Sequence, residues 1–231
     1  MLDTLQCDIF RSDLMKALSK PLVFVIFLLP AGYMFYAVYL ALTGGANLLG
    51  PDPPKALALI TGEWAIRVLI FGLALTPIRY LFNWPYVWRF RRMIGLFAYF
   101  YTSLHVLVFL MFLLQWEWSA IGREITERPY ITIGFAAFVL MTALAVTSFN
   151  RAQRKLGRNW KRLHRLVYVI NVLAVMHVIW IVRSSYFDSV LYGGLVALFL
   201  GYRLLRHYST RVRRFTFRPG NTPVRVRQAK P

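Results

Sequence analysis

The chain has 231 residues, 58% of them hydrophobic, and a formal net charge of +19. A charge this high in a soluble protein would indicate nucleic-acid binding, but here the apolar residues fall in blocks of about twenty, the length that crosses ~30 Å of hydrocarbon. The composition therefore predicts an integral membrane protein with no nucleic-acid partner. Cys7 is the only cysteine, which excludes an intrachain disulfide and a cysteine-based metal cluster.

The apolar blocks predict an all-α, polytopic bundle of six transmembrane helices. In chain order the predicted spans are 21–42, 62–82, 94–116, 130–149, 163–183 and 187–205. A loop rich in Gly and Pro, at 43–61, separates the first two spans and cannot be helical throughout. The first block is too long for the apolar core of a signal peptide and lacks a cleavage site, so we expect no cleavable signal peptide.

The distribution of charge predicts the orientation. Twenty-three of the 28 Lys and Arg residues lie in four segments, which are the N-terminus, 79–92, 151–165 and the tail from Arg203. Basic segments stay in the cytoplasm, so both termini are expected there. Six of the nine acidic residues collect on the opposite side: Asp52, Glu63, Glu117, Glu124, Glu127 and Asp188.

This orientation predicts a cytoplasmic N-terminal segment at 1–20, a transmembrane domain at 21–205 and a basic cytoplasmic tail at 206–231. The tail has little apolar content, which is typical of a segment that is disordered or bound to anionic lipid. It is too short for a flavin or nicotinamide domain, and the sequence contains neither a G-x-G-x-x-G nor a Walker motif. An electron carrier of this kind would have to receive its electrons from another molecule.

Two histidines are predicted to lie at the same depth in the membrane. His105 is thirteen residues beyond Arg92, and His177 is twelve residues beyond Arg165, on spans that leave the cytoplasm in the same direction. Both are therefore ~18–20 Å past the last Arg of a basic cluster. Two imidazoles facing each other across a bundle can be the axial ligands of a b-type haem, which leaves the iron no open position and favours electron transfer. The alternative is that each hydrogen-bonds across a helix interface.

The other two histidines are weaker candidates. His164 precedes His177 by thirteen residues, about 20 Å along a helix, so the two cannot share one iron. His164 would instead hold a second haem near the cytoplasmic face, or lie beside lipid headgroups. A partner ligand is missing, because Arg92 stands thirteen residues before His105, and His207 is the nearest remaining histidine in depth.

Two arginines are candidates for contact with haem propionates. Arg67 lies inside span two near its outer end, and Arg183 ends span five on the same side. Either could donate charge-assisted hydrogen bonds to a carboxylate. The alternative for both is that the side chain extends to the lipid headgroups.

Four stretches together resemble a known family: "LTGEWAIRVLIFGLALTPIRYL", "RRMIGLFAYFYTSLHVLVFL", "RPYITIGFAAFVLMTALAVTS" and "LGRNWKRLHRLVYVINVLAVMHVIW". They are similar to MsrQ, also called YedZ, the haem-binding membrane subunits of the bacterial periplasmic methionine-sulfoxide reductase system. That family belongs to the ferric-reductase-like transmembrane group. The resemblance covers about residues 20–205.

The resemblance implies a role in the bacterial inner membrane. Such proteins take electrons from quinol or from a reduced flavin, supplied by a cytoplasmic flavin reductase, and pass them through haem b to the molybdopterin subunit MsrP, which repairs oxidised envelope proteins. The family's haem-associated histidines fall on His105, His164 and His177. Some members bind FMN, although nothing in this sequence identifies a flavin pocket. Relatives in the wider group carry two histidines on span three, where this chain has one, so the haem count stays open between one and two.

The resemblance implies an electron-transfer subunit rather than the catalytic subunit, and no catalytic residue is assigned. One alternative is a stand-alone ferric or quinone reductase, against which the missing nucleotide domain counts. Another is a small transporter or assembly factor in which the histidines are structural. Matched spans broken by Gly or Pro would favour a transporter, and the sequence does not contain them.

Overall fold

The computed structural model describes residues 2–181 and 187–216, with side chains described for 18–181 and 187–209. The described residues form nine α-helices and no strand. In chain order they are α1 Leu2–Leu42, α2 Pro53–Leu81, α3 Arg91–Val108, α4 Trp118–Glu127, α5 Pro129–Val146, α6 Asn150–Leu156, α7 Arg158–Leu163, α8 Leu166–Ile181 and α9 Phe187–Thr216. A 3-10 helix, Pro85–Phe90, precedes α3, and a π-helical turn, Phe109–Leu113, follows it.

Six stretches of these helices are long and apolar enough to cross a membrane, which confirms the predicted number of spans. They are Leu18–Leu42, Pro53–Leu81, Pro85–Leu113, Pro129–Val146, Arg158–Ile181 and Phe187–Ser209. The all-α, multi-pass architecture predicted from the sequence is therefore confirmed for the described residues.

Three helix boundaries differ from the predicted spans by nine residues or more. Helix α1 begins at Leu2 rather than 21, so the predicted N-terminal segment 1–20 continues into the first span as one helix. Helix α2 begins at Pro53 rather than 62, because Asp52 accepts a hydrogen bond from the Lys55 amide at 3.2 Å and proline suits the first turn of a helix. Helix α9 continues to Thr216, past the predicted start of the tail at 206. The rest of the tail, 217–231, lies outside the described residues.

Helix α2 is the centre of the bundle, because it packs against α3 on one side and against α8 and α9 on the other. Eleven of its residues are buried, among them Val68 and Leu73, which are each 1% exposed. Helix α5 packs mainly against α8 and also contacts α3. The result is that α3 and α8, the helices that carry His105 and His177, are held between α2 and α5.

The hydroxyl of Tyr101 joins α3 to α1 through the backbone. It donates to the Phe27 carbonyl at 2.6 Å and accepts from the Ala31 amide at 3.2 Å. In an uninterrupted helix these two backbone groups would bond to each other. The opening lies beside Pro30, which has no N–H to donate, so the inserted hydroxyl satisfies both groups at a break in the α1 ladder.

We expect Tyr101→Phe to lower the free energy of unfolding by about 1 kcal/mol, because the ring stays while the hydroxyl bridge is lost. The measurement is thermal unfolding of the full chain in detergent. Tyr99→Phe is the matched control, since the Tyr99 ring stacks on Phe138 at 6.1 Å and its hydroxyl has no hydrogen bond in the described part of the chain. Equal melting temperatures for the two variants would contradict the bridging role.

Candidate functional site

The structure brings His105 and His177 together. His105 lies in the last turn of α3 and His177 in the last turns of α8. Their ring centroids are 6.3 Å apart, and the ring planes meet at 82°. The two helices cross the bundle in the same direction, so equal depth along them places both imidazoles at one level.

Each imidazole is oriented by a backbone carbonyl of a neighbouring helix. His105 Nδ1 is 2.9 Å from the carbonyl oxygen of Ala58 in α2 and 3.3 Å from the Thr61 hydroxyl. His177 Nδ1 is 2.6 Å from the carbonyl oxygen of Tyr130 in α5. A carbonyl can only accept, so each Nδ1 carries the proton and each Nε2 keeps its lone pair. In the described part of the chain neither Nε2 has a hydrogen-bond partner.

Two glycines leave room for the rings. A Cβ atom at Gly134 would lie 2.6 Å from Nδ1 of His177, and one at Gly62 would lie 3.1 Å from Cε1 of His105. Contacts under 3.0 Å do not occur for real Cβ atoms, so a side chain at Gly134 would force the ring or the helix to move. The glycines therefore allow each imidazole to pack directly on the backbone of its neighbouring helix.

The side chain of Tyr130 is itself anchored. Arg128 donates to the Tyr130 hydroxyl at 2.9 Å and forms an ion pair with Glu124 at 2.9 Å. The hydrogen bond to Tyr130 and the charge of Glu124 raise the pKa of the Arg128 guanidinium. This network ties the start of α5, where His177 is hydrogen-bonded, to the surface helix α4.

The paired imidazoles fit a single metal ion between them. Two bonds of about 2 Å from imidazole nitrogen to metal, with each nitrogen about 1 Å from its ring centre, predict a centroid separation of about 6 Å. The observed value is 6.3 Å. The described residues hold no cluster of three or more His, Cys, Asp or Glu side chains, so the pair would supply two ligands only. A haem iron, which needs two axial ligands, matches this donor set.

Arg67 is engaged by other side chains. Its Nη2 donates to Glu63 at 2.7 Å, its Nε donates to the Tyr192 hydroxyl at 3.1 Å, and its guanidinium lies 5.4 Å from the centre of the Trp64 ring. These contacts link α2 to α9. These contacts give the Arg67 guanidinium its partners without a propionate. The propionate-binding role of Arg67 stays a prediction.

His164 lies away from this pair, at the end of α7. Its ring stacks on Trp160 with the centroids 4.0 Å apart, and its Nδ1 is 3.2 Å from the Trp160 carbonyl. Trp160 donates from its indole to the Thr147 carbonyl at 2.9 Å, which fixes the stack against the end of α5. The Nε2 of His164 is 3.5 Å from the Ser148 hydroxyl.

His164 lines a cavity of about 280 Å³ between α2, α3, α5, α8 and α9. Four arginines share this lining, and no Asp or Glu is among the described residues around it: the four are Arg89, Arg91, Arg92 and Arg203. The Nε of Arg203 is buried and has no hydrogen-bond partner within the described ranges, although its Nη2 donates to the Leu73 carbonyl at 2.9 Å. The four arginines therefore give the cavity the charge for an anionic ligand.

Of the last two predicted residues, the structure describes only His207. His207 is exposed on α9 and is not among the residues that line the cavity beside His164. Arg183 lies outside the described residues. The cavity lining contains no second histidine, so the partner ligand sought for His164 is not found there.

Sequence reasoning missed the groups that orient the histidines. The carbonyls of Ala58 and Tyr130 leave no mark in a sequence, because every residue has one. The glycines do leave a signal, since Gly62 and Gly134 stand inside apolar spans that run opposite in direction to the histidine helices. A glycine at the depth of a histidine on a neighbouring span indicates close packing of the ring on the backbone.

Comparison with known proteins gives consistent matches. The family model "Ferric reductase like transmembrane component" matches residues 61–175. A relative from Xanthomonas euvesicatoria pv. vesicatoria (strain 85-10), named "Protein-methionine-sulfoxide reductase heme-binding subunit MsrQ", is 43% identical over 193 residues, which are 84% of this chain and 88% of the relative. A relative of the same name from Polaromonas naphthalenivorans (strain CJ2) is 41% identical over 87% of this chain and 90% of its own length. No solved structure matches the chain.

We expect Gly134→Ala to lower the free energy of unfolding by about 1–3 kcal/mol, because the added methyl group collides with the His177 ring. Gly62→Ala should cost less, since its nearest contact is 3.1 Å. Thermal unfolding of the full chain in detergent measures both. Gly194→Ala is the matched control, because nothing lies within 4 Å of its added Cβ. A Gly134→Ala variant as stable as this control would show that the ring has space to move.

Proposed function

The chain belongs to the MsrQ family of haem-binding subunits, and we propose on that premise that it carries electrons across the bacterial inner membrane through b-type haem. The single observation that carries the proposal is the pair of imidazoles with centroids 6.3 Å apart and both Nδ1 atoms hydrogen-bonded to carbonyls. A bound haem supplies one-electron redox chemistry, which no side chain of this pair has by itself.

In this proposal His105 and His177 would each hold a haem iron through Nε2. Ala58 and Tyr130 accept the Nδ1 protons, which keeps both rings in the ligating tautomer and makes the nitrogens better donors. A haem held by these two histidines would supply electron transfer rather than oxygen chemistry. Both histidines are half-buried between α2, α3, α5 and α8.

We assign the cavity beside His164 to a second, anionic cofactor. Its arginines would pair with the propionates of a second haem, and His164 would approach the iron from one side through Nε2. FMN, which carries a phosphate, is the alternative occupant of the same basic cavity. The total is thus one haem at the paired histidines and a second group at His164.

The direction of electron flow follows from the charges. The basic segments support an orientation with both termini in the cytoplasm. In that orientation the cavity at His164 would be the entry side and the paired histidines the exit side. The proposed donor is quinol or a cytoplasmic flavin reductase, and the proposed acceptor is a periplasmic, MsrP-like molybdopterin subunit that reduces methionine sulfoxide. Helix α4 is the candidate contact surface for this acceptor, because the Arg128 network connects it to the start of α5 beside His177.

The test of the proposal is a reduced-minus-oxidised visible spectrum of the full chain purified in detergent after expression with ample haem, with haem and protein quantified together. Sharp low-spin b-type bands at about one or two haems per chain are expected. A folded chain without haem would overturn the redox proposal and leave the histidines with a structural role.

We expect His105→Ala and His177→Ala each to remove about one low-spin haem per chain, because either change leaves the iron with one axial ligand. The haem-to-protein ratio and the low-spin bands report the loss. His207→Ala is the matched control, since His207 is exposed on α9 and is not among the residues that line the cavity beside His164. A full low-spin spectrum in either of the first two variants would show that the pairing is wrong.

We expect His164→Ala to reduce the total haem signal without abolishing it, because the pair formed by His105 and His177 does not depend on this residue. The bands that remain should match those lost in His105→Ala. A spectrum and haem ratio identical to those of the unaltered chain would assign His164 to the membrane interface. The assignment of His105 and His177 as haem ligands would not change.

A further inference from the structure

A second concave surface lies outside the bundle, between α1 and α3. It is an open groove of about 450 Å³ lined by α1, the 3-10 helix and α3. Phe97, which is 6% exposed, forms its floor and packs against Phe24 at 5.1 Å and Phe100 at 6.4 Å between ring centroids. The wall on α1 includes Leu28, 42% exposed.

The groove changes character along its length. On α1 its lining residues are Lys20, Phe24 and Leu28, which are four residues apart and so share one face of the helix over about 12 Å. On the other side the lining begins at Arg89 and ends at Phe100, about 16 Å further along. Both walls begin with cations and continue with apolar side chains, over roughly the ~15 Å that one leaflet of hydrocarbon measures.

The polar residues of the groove are all cations: Lys20, Arg89 and Arg92. No Asp, Glu or His stands in the described lining. Arg92 donates from Nη1 to the Asn150 side-chain oxygen at 2.8 Å, which leaves the other N–H groups of its guanidinium for a ligand. Every polar side chain here can therefore donate hydrogen bonds to an anion, and none can accept a proton.

We infer that this groove binds one anionic phospholipid of the leaflet on the basic side of the protein. The phosphate would lie among the three cations, and an acyl chain would follow the Phe-lined floor between α1 and α3. A quinol fits the aromatic wall but not the polar end, because its oxidation releases protons and the groove offers no side chain to accept them. The inference shares Arg89 and Arg92 with the cavity beside His164, but it does not require that cavity to hold a cofactor.

The lipid would also act on the neighbouring cavity. Arg89 and Arg92 line both the groove and the cavity beside His164. The described cavity lining has four arginines and no carboxylate. A phosphate held by Arg89 and Arg92 would offset part of that positive charge. It would also fill the space between α1 and α3 that the two helices do not close by direct packing.

Native mass spectrometry of the delipidated full chain, titrated with phosphatidylglycerol or with phosphatidylcholine of the same acyl chains, tests the inference. Phosphatidylglycerol should bind severalfold more tightly. Lys20→Gln should weaken its binding about fivefold, the effect expected of one cation at a lipid headgroup, and should leave phosphatidylcholine unchanged. Lys55→Gln is the matched control, because Lys55 is exposed at the opposite end of the bundle.

A second pair of variants tests the apolar part of the groove. Leu28→Trp fills the groove and should weaken both lipids, whereas Leu29→Trp, on the neighbouring face of α1, should weaken neither. Equal affinity for the two lipids, or equal effects of Lys20→Gln and Lys55→Gln, would overturn the inference. Displacement of the lipid by inorganic phosphate would reduce the site to a simple anion site, and displacement by ubiquinone would reassign it to a quinone. Both outcomes would also overturn it.

Discussion

The site depends on two hydrogen bonds from imidazole to backbone. A histidine inside a membrane has two nitrogens, and it can serve as a ligand only if the proton sits on the nitrogen that faces away from the metal. The carbonyls of Ala58 and Tyr130 fix this choice for His105 and His177, because a carbonyl cannot donate. They also remove the cost of an unsatisfied polar atom in a hydrocarbon environment.

The two halves of the site use the same arrangement. On α2 the carbonyl of Ala58 and the space left by Gly62 are four residues apart, and on α5 the carbonyl of Tyr130 and Gly134 have the same spacing. Each carbonyl precedes its histidine by 47 residues. The same pairing therefore occurs twice: one helix supplies a carbonyl and a glycine, and its neighbour supplies a histidine. The two copies face each other, so the two imidazoles lie next to each other.

The sequence was sufficient for the spans and for the paired histidines, because depth in a membrane can be counted along a helix from a basic cluster. It was not sufficient where a contact depends on the direction in which a side chain leaves the helix. Arg67 has the depth of a ligand-binding residue, yet it points toward Glu63 and Tyr192. The arginines around His164 come from the 3-10 helix, α3 and α9, and only tertiary packing brings them into one cavity.

The use of main-chain acceptors determines which kinds of natural variation the site can tolerate. Positions 58 and 130 can accept many side chains, because the oxygen that holds each imidazole does not belong to the side chain. Insertions and deletions are different, since one residue added to α2 or α5 rotates the following helix by about 100°. The carbonyl and the glycine four residues later would then no longer face the same ring. Sequence variation at positions 58 and 130 is therefore limited by helix register and not by residue identity.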